Sequence, residues 1–220
     1  MSSIISGRVG ERTSVSEQTY QQLRSMILGR ELAPGTIVTE RRLAEAINIS
    51  RTPLRSAINR LEGERLVERL ANSSVVIRTV SIDELLEILF IRRLLESEAA
   101  GFAAGQLGAA QLERLRRESE LFAATPEADF EVFWRHDDSF HDAVAEAAGK
   151  PLLAALIKDL RGKARMCYLR RMPKSFQAQG REHIALLDVL AAGDAARAKT
   201  AMAAHLDAVR NRLLAWLGGA

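Results

Sequence analysis

The sequence is poor in the residues that mark several protein classes. It holds one cysteine in 220 residues, which excludes an intrachain disulfide framework and a cysteine-built zinc knuckle. No apolar run nears the ~18 residues that a membrane span needs, and the opening MSSIISGRVGERTS lacks the long apolar segment of a secretory signal. These absences predict a soluble cytoplasmic protein of a reducing compartment, with no membrane partner. Histidine is scarce, at four copies, and the first 78 residues contain neither lysine nor aspartate.

What is present suffices for a core: 47% of the residues are hydrophobic, and the length fits one or two domains of ~100–200 residues each. The formal net charge of +3 hides an asymmetry. Residues 1–78 carry twelve Arg against eight Glu, a net of +4, whereas residues 79–220 carry a net of −1. Arginine grips phosphates and guanine edges in a bidentate way that lysine cannot. On charge alone a solvated basic face is the alternative.

The punctuation of the chain predicts a mainly α protein in two parts. Residues 1–13 have little pattern and are expected to form a flexible arm. Over 14–79, helices are expected at Val15–Gly29, from the Thr39 cap through Ile47, and from Arg51 to about Glu64 with Ser50 as cap; Pro34-Gly35 and Asn48-Ile49-Ser50 make the turns. Leu66–Leu70 and Val75–Thr79 then suggest a small hairpin. Over 80–220 there is no convincing strand, and helices are expected near 81–104, 109–123, 127–148, 151–171, 175–191 and 194–217. Ser81-Ile82-Asp83-Glu84 is a capping box that opens this region. The expected architecture is a small basic α/β module joined to an all-α antiparallel bundle.

Two short helices joined by a tight turn make a helix-turn-helix. Arg51 and Arg55 lie four residues apart at the leading end of the second helix, the part that meets base edges. Ser50 and Thr52 have hydroxyls for phosphates, and Arg41 and Arg42 open the preceding helix, where they can hold the DNA backbone. The run PGTIVTERRLAEAINISRTPLRSAINRLEGERLVE resembles the winged helix-turn-helix of GntR-type bacterial transcription regulators, over most of residues 15–79. That resemblance implies operator contact by Arg41, Arg51 and Arg55. There are two departures. Arg65 stands where the family usually has glycine, and the wing tip is Asn72-Ser73-Ser74 where relatives often carry Asn-Arg-Gly, which leaves Asn72 as the wing's candidate contact.

Of the four histidines, His141 lies four residues after Asp137, so both share one helix face. His183 lies ten residues before the turn at Gly193 and His205 twelve after it, rises of about 15 and 18 Å. In an antiparallel hairpin the two come level. Three imidazoles and a carboxylate suit a divalent transition metal: zinc first, nickel or manganese as alternatives. His136 lies about 100° around its helix from Asp137 and stays outside the set. The stretches RRLLESEAA, HDDSFHDAVAEAAGKPLL, EHIALLDVLAAGD and AMAAHL resemble the FCD effector domain of FadR-subfamily GntR regulators, over roughly 82–217. In metal-binding members the ligand positions correspond to Asp137, His141, His183 and His205. Arg92 matches an arginine that often faces the ligand cavity, an intrahelical pair with Glu96 being the alternative. Arg165, Arg170 and Arg171 are further cations that nothing in the sequence aims at the cavity.

These readings predict a ligand-responsive regulator, a repressor, that binds double-stranded operator DNA as a homodimer and senses a small organic acid. Two rivals remain at this stage. One is a constitutive DNA-binding protein with a purely structural metal. The other is a metal-dependent phosphohydrolase, suggested by the His136-Asp137 dipeptide of HD-type enzymes, although their other ligands have no convincing counterpart.

Overall fold

The computed structural model describes residues 14–72, 74–125, 130–167 and 176–219. The expected arm over 1–13, the wing-tip Ser73, and Arg170 and Arg171 lie outside these residues. The chain divides into two compact units between Thr79 and Val80.

In the first unit, α1 (Val15–Leu28) starts where Ser14 accepts a hydrogen bond from the Glu17 amide. It buries Tyr20, Leu23 and Ile27, a one-face stripe, against α3 (Arg51–Gly63), which buries Leu54, Ala57, Ile58 and Leu61. Between them lies α2 (Glu40–Ala46), capped by the Thr39 hydroxyl. The turn from α2 to α3 depends on Asn48, at φ 53°. The Asn48 amide bonds the Glu45 carbonyl and the Ile49 amide bonds the Ala44 carbonyl, a Schellman ending. Asparagine tolerates this left-handed backbone better than most residues. Ser50 occupies the N-cap position of α3 but makes no side-chain cap bond, which corrects the expected cap and leaves its hydroxyl exposed.

The expected hairpin is part of a three-stranded antiparallel sheet in the order β1-β3-β2, with β1 at Ile37–Thr39, β2 at Val67–Arg69 and β3 at Ser74–Ile77. Strand β1 pairs Ile37 with Val76 and Thr39 with Ser74. It was not expected from the sequence, because two adjacent apolar residues between a glycine turn and a helix cap carry no alternation.

The second unit consists, among its described residues, of six helices: α4 (Ile82–Ala103), α5 (Ala109–Ala124), α6 (Phe130–Ala147), α7 (Pro151–Arg165), α8 (Phe176–Ala191) and α9 (Ala195–Leu217). Ser81 caps α4, Pro151 opens α7 and Asp194 caps α9. Helix α7 stops at Arg165, short of the expected 171. Helix α4 packs on α6, α7 and α9, while α5 and α8 lie together. Small residues set these distances. Ala99, Ala100, Ala103 and Ala198 are buried on α4 and α9, and a Cβ on Gly180 of α8 would stand 2.6 Å from the Ala123 nitrogen of α5. The bundle thereby brings the inner faces of α4, α6, α8 and α9 around one point.

Candidate metal centre and nucleic-acid interface

At that point stand His141 from α6, His183 from α8 and His205 from α9, all buried. Their ring centroids lie 4.9–5.4 Å apart. One nitrogen from each falls within 4.8 Å of the others. Asp137 Oδ1 adjoins two of them, 3.6 Å from His183 Nε2 and 3.8 Å from His141 Nε2. Asp137 Oδ2 is taken by Arg161 at 2.6 Å. The three expected histidines thus come together, with the expected aspartate at their edge.

Hydrogen bonds aim two of the rings. His141 Nδ1 meets Glu96 Oε2, and His205 Nδ1 meets Glu182 Oε2 at 2.8 Å. In each case Nδ1 is occupied and Nε2 is left for another partner, as in carboxylate–histidine–metal arrangements. Each glutamate is itself held by an arginine. Arg92 Nε donates to Glu96 Oε1 at 2.6 Å, and Arg212 Nη2 donates to Glu182 Oε2 at 3.0 Å. Two Arg–Glu–His chains therefore converge on the triad from opposite sides in sequence. Arg92 is buried in its intrahelical pair, so the alternative reading of that residue is the one its geometry displays.

His183 is different. It is fully buried and stacked on Phe140 at 3.9 Å and 3°, and neither ring nitrogen has a hydrogen-bond partner among the described residues. A buried polar atom left in this way is costly. The donor chemistry fits a divalent transition metal: three imidazole nitrogens and a carboxylate oxygen, two of the rings already oriented and the third without a hydrogen bond among the described residues.

Electrostatics keep the site in the protonation state that such an ion requires. Burial, and then the Arg161 charge, push His141 down to about 4, and burial followed by the His205 charge lowers His183 well below its usual value. Both imidazoles are therefore neutral at pH 7, the state in which an imidazole can bind a metal. Burial would raise Asp137, but the guanidinium of Arg161 and the neighbouring histidines hold it far below the usual carboxylate range. Glu96 behaves likewise: burial opposes ionisation, and Arg92 and His141 outweigh it. Glu182 is held down to about 2 by hydrogen bonds from His205 and Arg212, against a burial effect that alone would raise it.

Sequence reasoning missed Glu96 as a partner of His141, and Glu182, Arg212 and Arg161 altogether. Glu96 carried a signal in its i, i+4 spacing from Arg92. The others meet their partners across helix pairs, and spacing along one helix does not show which faces will meet. His136 adjoins the triad, its ring centroid 5.6 Å from that of His183, but its nitrogens are engaged elsewhere: it stacks on Phe122, with Nε2 3.2 Å from Ser119 Oγ and Nδ1 3.1 Å from Glu118. Arg165 pairs with Asp138 and lies over the Trp134 ring, and Cys167 is buried.

In the first unit, Arg41, Arg42, Ser50, Arg51, Thr52, Arg55 and Asn72 are all exposed. The arginines are not equivalent. Arg55 Nε is bonded to the buried Glu40 at 2.9 Å, and Arg41 pairs with Glu45 at 2.8 Å. The guanidinium groups of Arg42 and Arg51 have no partner among the described residues. Asn72 Oδ1 accepts from the Ser74 amide at 3.1 Å and shapes the wing turn, and its amide NH2 is the donor it keeps for a phosphate.

Two family models match this chain: "Bacterial regulatory proteins, gntR family" over residues 15–77 and "FCD domain" over residues 87–208. An uncharacterised helix-turn-helix-type transcriptional regulator of Streptomyces ambofaciens is 30% identical over 195 residues, covering 86% of this chain and 81% of the relative. The helix-turn-helix-type transcriptional repressor RspR of Escherichia coli K12 is 26% identical over 200 residues, covering 89% and 87%. Among solved structures, E. coli McbR/YncC superposes with a TM-score of 0.76 at 22% identity, covering 94% of this chain and all of that one. This last likeness concerns the fold. The matched families and named relatives are transcriptional regulators, not enzymes, which removes the phosphohydrolase reading.

Proposed function

Because the chain belongs to the gntR family of bacterial regulatory proteins and carries an FCD domain, we propose that this transcriptional regulator is a repressor that binds operator DNA as a homodimer and responds to a small organic acid at a divalent metal. The observation that carries the sensing half is the buried triad, and within it His183, whose two nitrogens have no hydrogen-bond partner among the described residues. His141, His183, His205 and Asp137 would hold the ion, zinc before nickel or manganese. When bound, it offers a Lewis-acidic position for a carboxylate. Glu96 and Glu182 fix the imidazoles of His141 and His205, and the packed helices around them exclude water.

On the DNA side, the leading turn of α3 presents Ser50, Arg51 and Thr52, with Arg41 and Arg42 from α2. Arg51, exposed and uncommitted, is the residue assigned to base edges, where a good bidentate contact contributes about 1–3 kcal/mol of discrimination. Arg55 reaches DNA only by leaving or sharing Glu40. Two such helices in a dimer would meet successive major grooves. Exposed apolar side chains on the packed pair α4 and α7, namely Phe90, Leu94, Leu152 and Leu156, support a second copy as the partner of the helical unit. The acid would act by binding one arrangement of the dimer better than the other.

Gel shifts on the DNA upstream of the gene test this reading, with zinc-loaded full-length protein. The expected result is a shifted band that weakens strongly for Arg51→Ala and that a particular organic acid abolishes in the wild type but not in His183→Ala. Binding that no acid alters would favour a structural metal. Equal binding by Arg51→Ala would overturn the assigned DNA face.

A further inference from the structure

Arg161 of α7 is an unusual neighbour for the triad. It is 2% exposed. Its Nη2 donates to Asp137 Oδ2 at 2.6 Å and to Asp138 Oδ1 at 2.8 Å. Its Nε and Nη1 are buried and have no acceptor among the described residues. A guanidinium has five N–H groups, and Nη2 accounts for two. Three charged donors on this side chain are therefore unused, next to the carboxylate whose other oxygen faces His141 and His183. The Arg161 charge is felt at Asp137, Glu96 and His141, which places the guanidinium against the triad's own partners.

A ligand with one carboxylate, placed at the triad, would leave these buried donors of Arg161 without an acceptor, and a buried polar group left in that way is costly. A ligand with a second carboxylate would give them one, as a charge-assisted pair with a guanidinium.

We propose that the acid sensed is a short dicarboxylate held at two points, with one carboxylate at the histidine triad's metal and the other on Nε and Nη1 of Arg161. The inference rests on the organic-acid reading above and moves the anchoring cation from Arg92, whose Nε is committed to Glu96, to Arg161, whose donors are unspent. Asp137 touches both anchoring groups, through Oδ1 beside His141 and His183 and Oδ2 on Arg161, so short dicarboxylates are the ones to test.

Isothermal titration calorimetry on zinc-loaded full-length protein tests this, using malonate, succinate and glutarate beside propionate, butyrate and valerate. The best dicarboxylate is expected to bind at least about tenfold more tightly than the monocarboxylate of equal length, as charged hydrogen bonds of this kind warrant. In Arg161→Gln that ratio falls to about one, with zinc content unchanged by elemental analysis, while Arg117→Gln, at an exposed arginine of α5 paired with Glu113, leaves the preference in place. Should Arg161→Gln lose its zinc, Arg161→Lys keeps a cation on Asp137 but lacks the planar donor set, and the ratio should again collapse. If both variants lose zinc, the wild-type ratio decides. Equal affinity for the two acid classes in the wild type, or an undiminished ratio in a zinc-retaining variant, overturns the inference and leaves Arg161 a structural partner of Asp137 with water on its free N–H groups. Binding of neither class would instead overturn the organic-acid reading itself.

Discussion

Arg65 carries a backbone conformation suited to another residue. It sits at φ 58°, and its amide bonds the Glu62 carbonyl while the next amide, that of Leu66, bonds Leu61. This is the residue after the α3 cap in a Schellman ending, the place where glycine is favoured because a Cβ there costs about 1–2 kcal/mol. The glycine of related sequences is thus explained by backbone geometry, and Arg65→Gly should stabilise the first unit by up to about 1 kcal/mol, part of the relief being offset by glycine's greater freedom when unfolded. Thermal unfolding followed by circular dichroism checks it; a lower midpoint would mean that the arginine's own contacts outweigh the strain. The buried histidines give a second residue-scale prediction. His141 titrates near 4 in the fold and near 6.5 when unfolded, so between those values the unfolded chain binds the extra proton. The contribution to stability is complete above about pH 6.5 and is lost as pH falls toward 4. Melting of the metal-free protein should therefore move to lower temperature across that window, and His141→Gln should flatten the dependence.

At the scale of elements, two helix pairs each deliver a carboxylate to a histidine: α4 to α6 through Glu96, and α8 to α9 through Glu182. Glu182→Gln should lower zinc affinity about 10- to 100-fold, the usual cost of losing an outer partner, with helix content unchanged. Competition against a chelating dye measures it, and unaltered affinity would show that His205 needs no orienting partner. The closeness of α5 and α8 depends on Gly180, whose Cβ would strike the Ala123 backbone. Gly180→Val should cost about 1–3 kcal/mol or more by forcing that crossing apart, read as a loss in denaturant midpoint. Much of this was legible beforehand. Asp137 and His141 announce themselves by spacing, and His183 and His205 by their similar distances from the Gly193 turn, because rise per residue is constant along a helix. Strand β1 was hidden, since its partner β3 lies some forty residues away and only the pairing makes it a strand. Arg161, Glu182 and Arg212 were hidden for a related reason: rotation of one helix against another is decided by packing of the whole bundle, and no local pattern reports it.

For the whole molecule, the charge asymmetry predicts how DNA binding responds to salt. Each phosphate neutralised releases counterions, so Arg42→Ala, which removes an exposed guanidinium with no partner among the described residues, should reduce the slope of log affinity against log salt by about one. Arg51→Ala should also flatten the difference between operator and unrelated DNA. Fluorescence anisotropy over a salt series separates the two effects, and identical slopes for Arg42→Ala and wild type would exclude a phosphate contact there. The histidine triad has a further consequence when seen as polymer topology. Its members are 42 and 22 residues apart along the chain, at His141, His183 and His205. An ion joining them would close two loops at once, restricting the unfolded chain much as a disulfide does. A chain with one cysteine has no covalent way to do this. The knot an ion would tie is reversible: a chelator would untie it and free metal retie it, so the durability of the helical unit would follow the supply of the ion.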